Sequence, residues 1–147
     1  MNKKGLTVIE LLVVTTILGI MISMATIGYR DHAVKAGIEA DTRQILAISL
    51  LAKQYSFTQK IDLHMNIDDS RIIQVLDEDN NVFNGLEYTT KNDFTIDGDI
   101  SLKNGFVTEG DTIRVTGQNT RATYDCVIYE TGRIKAGKMS DGDCNAN

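Results

Sequence analysis

KKGLTVIELLVVTTILGIMISMATIGYR, residues 3–30, sets the architecture of this chain of 147 residues. From Leu6 to Tyr29 it runs for 24 residues with one charge, Glu10. As a helix that run is about 36 Å long, enough to cross the hydrocarbon core of a bilayer. Lys3 and Lys4 precede it and Arg30 is the first cation after it. The denser positive charge therefore lies on the N-terminal side, which is expected to stay cytoplasmic while the bulk of the chain lies outside. Two plainer readings compete. Ser23 and Ala25 have the small-residue spacing of a secretory cleavage site, and an uncleaved anchor would look much the same. The apolar run is longer than the core of about 7–15 residues of a signal peptide. Neither alternative gives Glu10 a role, and a carboxylate near the start of an apolar segment is expensive unless it lies at the interface or meets a cation.

Past Arg30 the helical pattern does not break. Val34, Ile38, Ile45, Ile48, Ala52 and Tyr55 recur at spacings of three, four or seven and share one face. Asp31 with Lys35, and Glu39 with Arg43, have the favourable i,i+4 orientation on a solvated face. The spacing predicts one helix over about residues 6–57, roughly 78 Å long. Its outer half is expected to pack on the chain's own globular part, and its inner half on lipid or partner helices. From Lys60 the period changes to two: Ile61, Leu63, Met65 and Ile67 alternate with Asp62, His64, Asn66 and Asp68. Further strands are expected at 71–76, 86–89, 94–96, 99–103, 112–116, 124–129 and 133–136, with turns at Asn84-Gly85, Asp97-Gly98 and Asn104-Gly105. The result is an α+β chain: a transmembrane segment at 6–29, an outer amphipathic helix at 30–58, and an antiparallel β head at 59–147 layered on that helix.

The head is acidic. Residues 60–147 carry 16 Asp/Glu against 9 Lys/Arg, a net of −7, a surface that repels phosphate backbones and argues against nucleic acid as a partner. Its best basic group, Arg133, Lys135 and Lys138, is followed at once by Asp141 and Asp143. Cys126 and Cys144 fit neither a zinc knuckle nor a redox pair, and a disulfide is the simplest reading. Closing that loop is worth on the order of 3 kcal/mol and requires an oxidising compartment outside the cytoplasm. The histidines, His32 and His64, have no nucleophile signature beside them, so no enzyme activity is expected. Asp77, Asp79 and Asn81 have the alternate spacing of a calcium loop but lack its glycine and closing glutamate. They and Asp141 with Asp143 are the calcium candidates in a chain otherwise expected to hold no cofactor. Gly132 and Gly137 flank a basic stretch with no helix start after them, which is not a phosphate loop.

KKGLTVIELL resembles the cleavage and assembly motif of type IV prepilins and type II secretion pseudopilins: a short basic leader, a glycine, an apolar residue, and a glutamate five positions into the mature chain. The resemblance implies a leader of residues 1–5, cleavage after Gly5 by a prepilin peptidase, and methylation of the new N-terminus at Leu6. It implies that Glu10 neutralises the Leu6 amine, of its own chain or of a neighbouring subunit. The implied partners are other pilin or pseudopilin subunits and an inner-membrane assembly platform, with ATP hydrolysis left to a separate motor. The implied location is the bacterial inner membrane and then the filament. The sequence departs from the common form in having Leu6 where phenylalanine is frequent and in having no proline, while Gly19 falls where many pilins carry a glycine. The late stretch DCVIYETGRIKAGKMSDGDC, residues 125–144, is similar to the GspH/FimT class of minor pseudopilins and minor pilins, through a strand at Val127 to Tyr129, a Thr131-Gly132-Arg133 turn and a strand from Ile134. The competing expectations are a membrane-tethered extracytoplasmic binding domain and a DNA-capturing minor pilin of a competence pilus.

Overall fold

The apolar start continues without interruption into the outer helix, because no proline or glycine cluster stops it before Lys60. A computed structural model, which describes residues 7–117 and 120–146, gives one helix, α1 (Val8–Gln59), followed by antiparallel strands. The chain divides at Val34 into two units. The first is the apolar part of α1. The second, from Lys35 on, holds the rest of α1 and the head.

Ten strands lie among the described residues of the head: β1 (Leu63–Asp68), β2 (Ile72–Leu76), β3 (Val82–Thr89), β4 (Phe94–Asp97), β5 (Ile100–Lys103), β6 (Phe106–Glu109), β7 (Thr112–Val115), β8 (Cys126–Glu130), β9 (Arg133–Ser140) and β10 (Asp143–Ala146). They form two five-stranded sheets, β3-β2-β1-β5-β6 and β10-β9-β8-β7-β4. Three hairpins reverse on residue pairs with positive φ: Asp69 and Ser70, Asn104 and Gly105, Asp141 and Gly142. Such pairs match the twist of the flanking strands. Gly105 is also pressed against α1, where a Cβ would lie 2.6 Å from Phe57 Cβ.

The helix meets both sheets. Tyr55 packs edge-on against Phe83 of β3 with ring centroids 5.6 Å apart, and Ser49 Oγ lies 2.6 Å from the Tyr129 hydroxyl of β8. Ile45, Ile73, Ile113 and Val127 are fully buried in the shared core; each such side chain contributes roughly 1.5–3 kcal/mol.

The buried face of α1 differs from the expected apolar stripe. Val34 is exposed, and the covered ridge is Ile38, Thr42, Ile45, Ser49, Ala52 and Ser56, with Asp41 beside it. Half of that ridge is hydroxyl-bearing, which hydropathy does not flag. The hydroxyls are small enough for close approach, and they satisfy themselves. Thr42 and Ser49 donate to the carbonyls of Ile38 and Ile45 one turn back, at 2.9 and 2.7 Å. Because the Ser49 proton is used this way, the Tyr129 hydroxyl donates to Ser49 Oγ, and burial pushes that phenol far above its ordinary range so that it keeps its proton. Replacing Ser49 with alanine is therefore expected to lower stability by about 1–3 kcal/mol, the penalty of an unpartnered buried hydroxyl. A Tyr129→Phe, Ser49→Ala double variant recovers part of that loss in thermal melts.

Other differences have local causes. Asn84 and Gly85 do not turn the chain. They carry positive φ inside β3, where its register against β2 shifts between Gln74 and Leu76. The turn is Asp77–Asn81 instead, because Asp77 Oδ1 accepts the amides of Asp79 and Asn81 at 3.0 and 2.9 Å and closes the loop early. The chain also changes sheet between β3 and β4, between β4 and β5, and between β6 and β7, so the expected single antiparallel layer is two sheets. Glu39 accepts from the Thr123 amide at 2.7 Å and lies 3.8 Å from Lys35, whereas Arg43 stacks over the Tyr124 ring at 5.9 Å. The amide of Thr123, then the cations Lys35 and Arg43, hold the Glu39 carboxyl below its ordinary value.

Candidate functional site

Two features of the molecule call for a functional account: the exposed apolar start of α1, and the ties that fasten the head to the outer half of that helix. In the first, every side chain from Thr7 to Met24 is exposed, including Val8, Leu11, Leu12, Ile17 and Ile20. The segment is long and apolar enough to cross a membrane. Its hydroxyls are turned inward on the helix: Thr15 donates to Leu12 O at 3.0 Å and Ser23 to Gly19 O at 2.8 Å. That leaves apolar groups to meet the surroundings, which suits lipid or another helix. A Cβ at Gly19 would meet nothing within 4 Å, so this glycine leaves a dent on the open helix face.

Gly5 and Leu6 lie outside the described residues, as does the leader. Glu10 is described, and its surroundings contain a residue the sequence reading passed over. Thr7 is the N-cap of α1: its amide and its hydroxyl both donate to Glu10 Oε2, at 3.0 and 2.9 Å, and the Glu10 amide donates back to Thr7 Oγ1 at 3.4 Å. This is a capping box, and the Thr-x-x-Glu signal for it is plain in the sequence. The exchange satisfies two of the orphan donors of the first turn and holds the carboxylate at the very start of the apolar helix.

In the head, Asp41 is buried on α1 and gathers four donors: the Tyr88 hydroxyl at 3.0 Å, the amides of Lys91 and Asn92 at 2.9 and 3.1 Å, and Asn92 Nδ2 at 2.9 Å. Burial first, and then the Asp41 carboxylate, push the Tyr88 phenol above its ordinary value. These bonds pin the crossover between β3 and β4 to the helix. At the other end of the outer helix, Ser56 Oγ donates to Ile61 O at 2.8 Å and accepts the Gly105 amide at 3.1 Å. That hydroxyl fastens the helix end to the β5–β6 hairpin.

A second buried carboxylate, Asp125, accepts the Met139 amide at 2.7 Å and pairs with Lys138 at 3.1 Å, and Thr120 Oγ1 also donates to it. Lys138 Nζ donates further to the carbonyls of Thr120 and Ala122. Lys138 is thus consumed in the fold, Arg133 pairs with Glu130 at 3.1 Å, and the trio Arg133, Lys135 and Lys138 forms no free patch. Cys126 and Cys144 are bonded, with Cα atoms 6.1 Å apart. Their bridge runs from β8 to β10 over the intervening β9, at Gly137, which is the ladder partner of both Cys126 and Ala146.

The remaining candidates stay apart. His64 Nε2 lies 3.1 Å from Asn80 Oδ1 at the surface. Asp77 is occupied with its own loop amides, and Asp141 sits in the β9–β10 turn. No group of three or more His, Cys, Asp or Glu side chains placed to hold a metal occurs among the described residues.

Comparison with known proteins gives one match: residues 1–26 fit the family model described as the prokaryotic N-terminal methylation motif. The chain therefore carries a type IV pilin-like N-terminal signal of the kind a prepilin peptidase processes. No curated protein and no solved structure matches the chain.

Proposed function

We propose that this chain is the precursor of a structural subunit of a type IV pilus or type II secretion pseudopilus, inserted in the bacterial inner membrane and assembled through α1. The observation that carries the reading is the uncovered apolar start of α1 with a carboxylate held at its first turn, inside a methylation motif. Cleavage after Gly5 leaves an amine on Leu6 one helical turn from Glu10. When apolar helices bundle, water leaves the neighbourhood of Glu10, and an unpaired carboxylate there is costly. The amine of a neighbouring subunit removes that cost and sets the stagger between helices. The head stays outside the bundle and meets secretion substrate, neighbouring subunits or the environment.

Mass spectrometry of the mature chain tests this. The expected N-terminus is methylated Leu6, and Gly5→Val is expected to leave the whole precursor uncleaved; an intact Met1 or a start at Thr26 in the unmodified chain would overturn it. Membership of the minor GspH/FimT class is a narrower reading, supported by the β8–β9 hairpin that turns at Thr131 and Gly132. A tethered binding domain predicts no processing at Gly5, so the same measurement separates it. A DNA-capturing subunit finds little support, since the cations that suggested it are spent on Asp125, Glu130 and backbone carbonyls.

A further inference from the structure

The two flanks of the outer helix carry opposite charge. Asp41, Ile48 and Tyr55 recur every seven residues on one flank, where Asp41 holds Tyr88 and Tyr55 packs on Phe83, both in the edge strand β3. Residues 72–90, which include β3 and the hairpin before it, contain Asp77, Glu78, Asp79 and Glu87 and no Lys or Arg. On the opposite flank Glu39 reaches the Thr123 amide, Arg43 lies over Tyr124, and Lys53 Nζ donates to Gly132 O at 2.8 Å. Arg133 follows directly, so Arg43, Lys53 and Arg133 line that side, with Glu39 and Glu130 already engaged. Each flank also exposes apolar surface that the head leaves uncovered: Leu51 and Val82 on the acidic side, Leu50 and Phe57 on the basic side.

We infer that neighbouring copies of this chain pack side by side, the acidic β3 flank of one against the basic β8–β9 flank of the next. This rests on the filament reading, which sets the outer helices of neighbouring subunits alongside one another. The two surfaces differ and lie on opposite sides of the same element, so the contact is heterologous and leaves a free acidic flank at one end and a free basic flank at the other. Such contacts propagate into open helical arrays and do not close into dimers. Opposite potentials steer the encounter and penalise the reverse pairing, in which like flanks meet. Copies must be adjacent, so a subunit present once per filament does not meet the requirement.

The test uses the full chain in its own filament. Glu78→Lys with Glu87→Lys, and separately Arg43→Glu with Lys53→Glu, are each expected to reduce the chain recovered in sheared filaments about tenfold. The chain carrying all four substitutions restores complementarity and is expected to return to within about twofold of the unmodified level. Thermal melting and formation of the Cys126–Cys144 bond report whether each variant folds. If a variant does not fold, zero-length carboxylate–amine crosslinking of unmodified filaments decides, with Glu78 or Glu87 joined to Lys53 of another copy as the expected product. Unchanged recovery of both double variants overturns the inference. Loss without rescue in the fourfold variant also overturns it and points to a different subunit as the neighbour. Absence of the unmodified, processed chain from filaments is a failure of the filament reading itself; filaments that contain the chain without the crosslink leave that reading intact and remove only this one.

Discussion

Replacing Asp41 with alanine is expected to lower the stability of the head by about 3–5 kcal/mol, the usual loss when one partner of a buried charged network is removed. Four donors converge on this carboxylate from the segment that links the two sheets. Without it, two backbone amides and the Tyr88 hydroxyl are left in a closed space that water fills poorly. A head of this size should then melt more than ~10 °C lower. Asp41→Asn keeps the shape and one acceptor oxygen, so its expected loss is smaller, about 1–3 kcal/mol. Thermal unfolding followed by near-ultraviolet circular dichroism of the solubilised chain separates the two. A change under 1 kcal/mol for the alanine variant would show that the crossover does not depend on the helix.

The second large effect is expected at Gly137. A Cβ there would lie 2.6 Å from Asn145 O and 2.9 Å from Cys144 Sγ, distances that real Cβ atoms do not tolerate. Gly137→Val therefore forces β10 off β9 or displaces the sulfur bridge above it. The expected outcome is a large share of chains with free thiols at Cys126 and Cys144, together with loss of the roughly 3 kcal/mol that the bridge contributes. A gel shift with a thiol-reactive polymer counts those thiols directly. Gly132→Ala is the control, since a Cβ at Gly132 meets nothing within 4 Å. Full disulfide formation in the valine variant would refute the crossing geometry.

The sequence was most informative where one physical demand dominated. A run of 24 residues with one charge leaves few options but a helix, and the alternation at Leu63 and Met65 marks a strand because each faces the core. The sequence was least informative where polar residues do the packing. Thr42, Ser49, Ser56 and Asp41 look like solvent-facing positions, yet they are the buried ridge of α1, and only partners 46 to 82 residues away reveal it. β10 escaped notice for a related reason: DCNA has no apolar alternation, and its place is set by the ladder to β9 and by Cys144. β6, by contrast, could have been found, since Asn104-Gly105 announces a hairpin and Val107 alone needs to be covered. At the helix start Thr7 was legible as the cap that shares Glu10, and it was overlooked because the carboxylate had been given a more distant partner.

The polar ridge also sets a timetable. Ser49 waits for Tyr129, Glu39 for Thr123, and Asp41 for Asn92, so the outer helix emerges early and finishes its contacts late. Loop closures over 51 to 84 residues are slow steps, which places completion of the head in milliseconds to seconds, well behind a helix that forms in about a microsecond. During that lag the helix stands finished while its covering sheets do not, and a chaperone or an insertion machine has a rigid, half-dressed rod to hold.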